Sequence, residues 1–433
     1  SLHDALPIFD YYIAIDGETQ GTRNMQYSTL VAEMSAAIGG GGGSSGEIKS
    51  VYIDPKNGSD TNSGTDRHNP VATSQRAYSV MEELGLDTVV ILDKITLVDI
   101  GEVEGIYFDP IPQSLVLETF NVINEVDGSI CIVLDTLPAN SKIASFTDAV
   151  ITLAYKNGLR ANLEIESKSS VELHHYLPGN DYGYPIANLK VNIAGDFYLN
   201  CVQYQESEYG YYPDDYLYNS FITSSINVKS KNAYLVGLYE YGAEIYVEAT
   251  ENITNSLDGS AEEPFDDNTW TTIENTMKFI APNGTIYALQ GGYAKDYIVD
   301  CLNFDEHSQV VVKNLTQIHA TGYCNLMDIL SGDVEAKGRV IVTGGDESQN
   351  TVLNTTDCIM PHNTSEGNCY DYAPEVFIDW KGLIHHTSNS FYVNKYFERS
   401  NGYTEDSERL YIEALEVDHY DENDQIVYNT NQS

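Results

Sequence analysis

The sequence predicts an all-β chain built as a solenoid of stacked strands, and three observations carry that expectation. Short segments alternating apolar and polar residues recur along the chain. They start near Leu163, Leu189, Ile226, Ile245, Met277, Val310, Val340, Val376 and Leu410, at intervals of 19 to 37 residues. Repetition on that scale, with irregular lengths between repeats, is how stacked repeat architectures look in sequence. Helical periodicity is almost absent after Leu84, which argues against the α/β enzyme classes. Tyrosine is used 33 times against 12 Phe and 2 Trp, and an apolar ring with a polar tip suits half-exposed strand faces. A β-sandwich is the alternative, because alternation alone does not separate parallel from antiparallel pairing.

Charge narrows the partners. The 433 residues carry 22 basic and 65 acidic side chains, a net charge of −43. Such a surface repels phosphate backbones and anionic lipid headgroups, so neither nucleic acid nor a membrane surface is an expected partner. No apolar run is long enough to span a bilayer. The charge suits a protein that must stay soluble outside a cell. Six cysteines, at 131, 201, 301, 324, 358 and 369, form no Cys-x-x-Cys pair and do not cluster with histidine. They read as buried free thiols in strands, with a Cys358–Cys369 loop disulfide as the alternative.

Along the chain, residues 1–8 match the translation of a common sequencing-adapter oligonucleotide. They are left out of fold reasoning, and the natural N-terminus is expected upstream. Residues 9–38 read as a small unit: two short strands around a glycine turn within Asp10–Arg23, then a helix capped by Ser28 with Leu30, Val31, Met34, Ala37 and Ile38 on one face. The wording Tyr12-Ile-Ala-Ile-Asp-Gly-x-Thr-x-Gly-Thr-Arg23 resembles a segment of phage tail-fibre and neck-associated proteins, which implies a virion-attachment fragment. Residues 39–47, with five successive glycines, read as a flexible linker.

Residues 48–100 open the body. Val51-Tyr-Ile-Asp-Pro-Lys-Asn-Gly-Ser-Asp-Thr-Asn-Ser-Gly-Thr65 is a strand and an Asx/Gly-rich loop; Asn69-Pro-Val-Ala-Thr73, a helix over Gln75–Leu84 and the strand Thr88–Leu92 follow. This order resembles the start of pectate-lyase-like proteins. The resemblance implies a right-handed parallel β-helix whose open first end is closed by the helix. Residues 101–433 are then the β-helix body with lateral insertions.

Chemistry-bearing residues are few. Asp60, Asn62 and Asp66 space oxygen atoms as the first half of a calcium loop would, but Val71 stands where the closing glutamate belongs. The other reading is an Asx-rich turn that satisfies its own backbone; no cofactor is expected beyond this Ca²⁺ possibility. The richest local cluster joins Tyr204, Tyr209, Tyr211, Tyr212, Tyr216 and Tyr218 to Glu206, Glu208, Asp214 and Asp215, with no basic residue among them. Tyrosine rings stack on sugar faces while carboxylates accept hydroxyl protons, which fits a neutral glycan. Paired carboxylates could also hydrolyse a glycosidic bond. The bland alternative is a solvated acidic loop. A second acidic insertion runs through Glu262, Glu263, Asp266 and Asp267. Scarce arginine between Arg160 and Arg339 disfavours a uronate lyase, and His174-His175 and His385-His386 cannot each form a site, since neighbours in a strand face opposite ways.

The expectation is therefore a phage tail-fibre or tailspike-like protein, on the virion tail or otherwise extracellular. It would be a homotrimer that meets other tail proteins and binds bacterial surface polysaccharide. Alternatives are a polysaccharide depolymerase (glycoside hydrolase or lyase) and a bacterial surface adhesin.

Overall fold

The computed structural model describes residues 12–13, 23–24, 49–98, 103–157, 160–175, 186–200, 222–236, 244–256, 275–290, 292–306, 310–326, 329–331, 339–346, 351–356, 375–387, 410–420 and 426–430. The described chain is all-β, with one helix, Ser74–Leu84. Its strands form two long parallel ladders that alternate along the sequence.

The first ladder runs through Val51–Ile53, Thr88–Ile91, Phe120–Asn124, Asn140–Ser145, Asn162–Ser167, Ile186–Ile193, Ile222–Ser230 and Glu244–Ala249. It continues through the first part of Thr276–Gln290, the middle of Gly292–Glu306, the second part of Val310–Ala320, then Arg339–Gly344 and the starts of Glu375–Thr387 and Leu410–Tyr420. The second ladder takes the strands between them: Val103–Phe108, Ser129–Thr136, Val150–Asn157, Val171–His175, Phe197–Asn200, Ala233–Val236, Ile253–Ser256 and onward. Every pairing from Asn162 to Leu410 is parallel, which removes the antiparallel sandwich for that stretch. Antiparallel pairs are confined to Tyr12–Ile13 with Arg23–Asn24, Ile95–Val98 with Val103–Phe108, and Leu410–Tyr420 with Ile426–Thr430.

Register explains the alternation seen in sequence. Val51, Val89, Val122, Ile143, Ile165, Val191, Val228, Val247, Phe279, Val299, Ile318, Val342 and Ile378 follow one another as direct partners, none more than 2% exposed. Branched side chains stiff at χ1 fill such a column at little entropic cost. Each fully buried one is worth about 1.5–3 kcal/mol of transfer free energy. The second ladder supplies a facing column, Ile106, Ile132, Leu153, Leu173, Leu199 and Leu235, interrupted below by the buried polar residues Asn255 and Glu306 on either side of Ala288.

Polar side chains tie the steps together at their margins. Asn162 donates to Asn140 at 2.7 Å, Asn188 to Asn162 at 2.6 Å and Ser225 to Asn188 at 2.7 Å. At the turns between ladders, Ser170, Asp196, Asn232, Asn252, Thr285 and Asn303 form a second hydrogen-bonded row, each joined to the next step.

The helix begins at Thr73, whose side chain accepts the Arg76 N–H, and ends at Gly85, whose φ of 64° is left-handed. It buries Ala77, Tyr78, Val80 and Met81 in the same core as Val51 and Val89. Tyr78 meets the Phe120 ring edge-on at 6.3 Å and donates to the Asp109 carbonyl at 2.9 Å. The helix thus covers core at the first step of the stack, one residue longer at its start than the spacing predicts.

Two steps escape the repeat read from sequence. Met277 and Val310 are not successive: Tyr297, in Gly292–Glu306, pairs with Met277 on one side and Thr316 on the other. The ladder therefore uses Leu315–Ala320, while Val310 belongs to a short third row with Gly292 and Ile329. The strands between Phe120 and Asn157 were also hidden. Ser129–Thr136 lacks alternation because Cys131 and Val133, on its other face, are buried beneath Tyr107. The Ser28 helix, the glycine linker and residues 1–8 lie outside the described residues.

Candidate functional site

The expected contact segment, Tyr204–Tyr218 with Glu206, Glu208, Asp214 and Asp215, lies outside the described residues, as does the acidic segment Glu262–Asp267. Their points of departure are described. Residues 201–221 leave the second-ladder strand Phe197–Asn200 and rejoin the first ladder at Ile222–Ser230. Residues 176–185, 237–243, 257–274 and 357–374 likewise join a second-ladder strand to the next first-ladder strand. Connections the other way are short: Ser167 to Val171, Ile193 to Phe197, Ser230 to Ala233, Ala249 to Ile253. Because the ladders are in register, all the long segments issue from one edge of the stack.

Beside that edge runs the outward column of the second ladder. Glu172, Tyr198, Tyr234, Thr254, Tyr287, Asp305, Asn325 and Asn354 are successive register partners. Tyr198 and Tyr234 stack with centroids 4.6 Å apart and planes 4° from parallel, and Tyr198 is 39% exposed. That separation equals the distance between neighbouring strands, so the rings lie square to the column. Burial, then the charge of Asp196, pushes the Tyr198 hydroxyl up. Lower in the column, Asn325 donates to Asp305 at 2.9 Å and Asn354 donates to Asn325. Burial, the charge of Asp305 and nearby Tyr287 raise the Tyr323 hydroxyl.

The first ladder's outward face spends its cations locally. Lys142 lies 2.9 Å from Glu166, Lys190 2.8 Å from Glu164, Lys229 2.7 Å from Glu248 and Lys231 3.5 Å from Glu251. Burial opposes ionisation of Glu164, but the Lys190 hydrogen bond and the Lys142 charge outweigh it and hold the carboxyl below its usual range. Lys229 does the same for Glu248. These half-exposed pairs add little stability; they leave no basic groove among Lys142, Lys190, Lys229 and Lys231 for a polyanion.

The calcium-loop candidates are brought into one loop, with their oxygens turned to protein donors. Asp60 accepts Ala72 N–H and Thr73 N–H, both at 3.0 Å, and the Thr73 hydroxyl at 2.8 Å. Asp66 accepts His68 and Asn69 backbone N–H groups and the Asn69 amide, which lower its pKa, the Asn69 side chain foremost. Asn62 donates to the Pro70 carbonyl at 2.8 Å. The loop seats Val71 beside Ile53 and delivers the chain to the helix; Arg67 pairs with Glu125 and lies over the Tyr52 ring at 5.6 Å. Among the described residues no three His, Cys, Asp or Glu gather as a metal would require.

His174 is outward and contacts Glu172 at 2.7 Å. Cys131, Cys301 and Cys324 are free and buried; Cys201, Cys358 and Cys369 lie outside the described residues. The stacked pair Tyr198 and Tyr234 was not singled out from sequence. Its trace is the apolar-Tyr-apolar pattern shared by Phe197-Tyr-Leu199 and Ala233-Tyr-Leu235, which becomes a surface only once the two strands are set in register. No protein-family model, curated protein or solved structure matches this chain.

Proposed function

We propose that the two ladders wind as a right-handed parallel β-helix, the hand that parallel crossovers take almost without exception. On this reading the chain is a tail-fibre or tailspike-like rod, on a virion tail or otherwise extracellular, that binds a neutral glycan of a bacterial surface. The observation that carries it is the exposed Tyr198–Tyr234 stack beside the edge from which the Tyr204–Tyr218 segment departs. Loops on a rigid stack are where recognition sits, because the strands are committed to packing. Tyrosine-rich, cation-poor surface favours uncharged sugar over polyanion. Homotrimerisation through residues 9–38 belongs to the same proposal, since an apolar helix face there needs a partner, and light scattering on the full chain reports it.

The test is binding of the full chain to bacterial cells. Tyr211→Ala with Tyr212→Ala should weaken it by about 1–3 kcal/mol, the usual worth of aromatic anchors. Unchanged binding removes that segment from the site. Release of reducing ends from host polysaccharide, lost on Asp214→Asn or Asp215→Asn, would replace binding with depolymerisation.

A further inference from the structure

The outward column changes character between Tyr234 and Tyr287. Tyr198 and Tyr234 occupy neighbouring positions and fill the space between them with each other's rings, 4.6 Å apart. One face of Tyr234 is therefore covered, and the other looks along the column. The next position holds Thr254, half-buried and too small to reach the plane of the rings. The position after that is Tyr287, again outward. Strands in a ladder are ~4.8 Å apart, so Tyr234 and Tyr287 stand about 9.6 Å apart at their backbones. Two van der Waals contacts of about 4–4.5 Å each span 8–9 Å, so this gap admits one flat ring between two aromatic walls. It is twice the spacing at which the chain stacks its own tyrosines.

We propose that Tyr234, Thr254 and Tyr287 form a slot that sandwiches one pyranose ring of a neutral glycan, with the Thr254 hydroxyl at its floor and Asp305 at its rim. A pyranose offers C–H faces to both rings and hydroxyls at its edge, which is the polarity this column presents. Asp305, the register partner of Tyr287, already accepts the Asn325 amide on one oxygen and has acceptor capacity left for a sugar hydroxyl. An aromatic planar ligand would also fit by size, but the hydrogen-bonding rim of Asp305, Asn325 and Asn354 favours a polyol. The slot rests on the glycan reading above and gives it a subsite on the rigid ladder, separate from the Tyr204–Tyr218 segment.

Saturation-transfer NMR on the full chain tests it, with laminarihexaose, cellohexaose and mannohexaose as probes and hexagalacturonate as the polyanionic control. Thr254→Tyr should fill the slot by extending the Tyr198–Tyr234 stack, leaving circular dichroism and melting temperature at or above wild type. It should raise the Kd for the bound neutral probe at least ten-fold. Tyr287→Ser, which removes one wall without filling the gap, should raise it several-fold. Both variants binding as wild type overturns the slot. Binding lost in the Tyr211→Ala, Tyr212→Ala protein but intact in Thr254→Tyr also overturns the slot and leaves the glycan reading standing. A wild-type chain that takes up none of the neutral probes, or only hexagalacturonate, overturns both.

Discussion

Asn232 bridges three successive steps of the stack: its side-chain carbonyl accepts the Asn252 N–H at 2.9 Å while its amide donates to Asp196 at 2.8 Å. It is 7% exposed, so water cannot replace both bonds. Asn232→Ala should cost about 1–3 kcal/mol, the usual penalty for stranding buried polar groups, read as a lower urea midpoint with unchanged m-value. A midpoint within error of wild type would show that this row is decorative.

Two glycines separate two kinds of constraint. A Cβ on Gly284 would sit 1.8 Å from the Glu251 carbonyl, backbone against backbone across one step. Gly85 has open space around it but a φ of +64°. Gly284→Ala should cost roughly 1–3 kcal/mol or more through overpacking, and Gly85→Ala about 1–2 kcal/mol through its left-handed backbone. Denaturant titration ranks them; equal tolerance of both would mean the Glu251–Gly284 approach relaxes freely.

Alkaline pH should unfold the chain in a defined window. Burial pushes the Cys131 thiol up from 9.0 to about 11 and raises the Tyr78 and Tyr297 hydroxyls above 10.0. The native state keeps these protons while the unfolded chain sheds them. The stability they contribute is full below pH 9.0 and is lost as pH climbs through the thiol's value of about 11, more steeply once unfolded tyrosines ionise above 10.0. Melting temperature measured across this range should hold level and then fall, and a level profile to the upper end would contradict the burial of these groups.

Calcium should leave the melting temperature unchanged, and so should EDTA, because Asp60 and Asp66 already hold backbone N–H groups. Asp60→Ala, in contrast, should destabilise by about 1 kcal/mol as an anchor of the helix entry is lost. A calcium-dependent rise in melting temperature that Asp60→Ala abolishes would restore the metal reading.

The helix and most strands were legible because their signals are local. Thr73 before the helix and Gly85 after it announce the ends, and alternation at Leu163, Leu189 and Ile245 marks strands with one buried face. What stayed hidden depends on distant neighbours. Lys295 and Asp296 sit at a register shift, so Gly292–Glu306 does not alternate cleanly and one step was passed over. The Tyr198–Tyr234 stack joins residues 36 apart in sequence, with the whole 201–221 segment between them. Nothing local to either tyrosine marks it.

Parallel ladders direct their hydrogen bonds from each strand to the next, so a pull along the stack loads its steps in series. Resistance to such a pull is set by the thinnest step rather than by the sum. That step is at the start, where Val51–Ile53 joins Thr88–Ile91 through three register pairs, reinforced by the bridge from Ile53 to Val71. The loop held by Asp60 and Asp66 therefore works as a mechanical clamp: tension entering the stack at Val51 reaches this joint before any other.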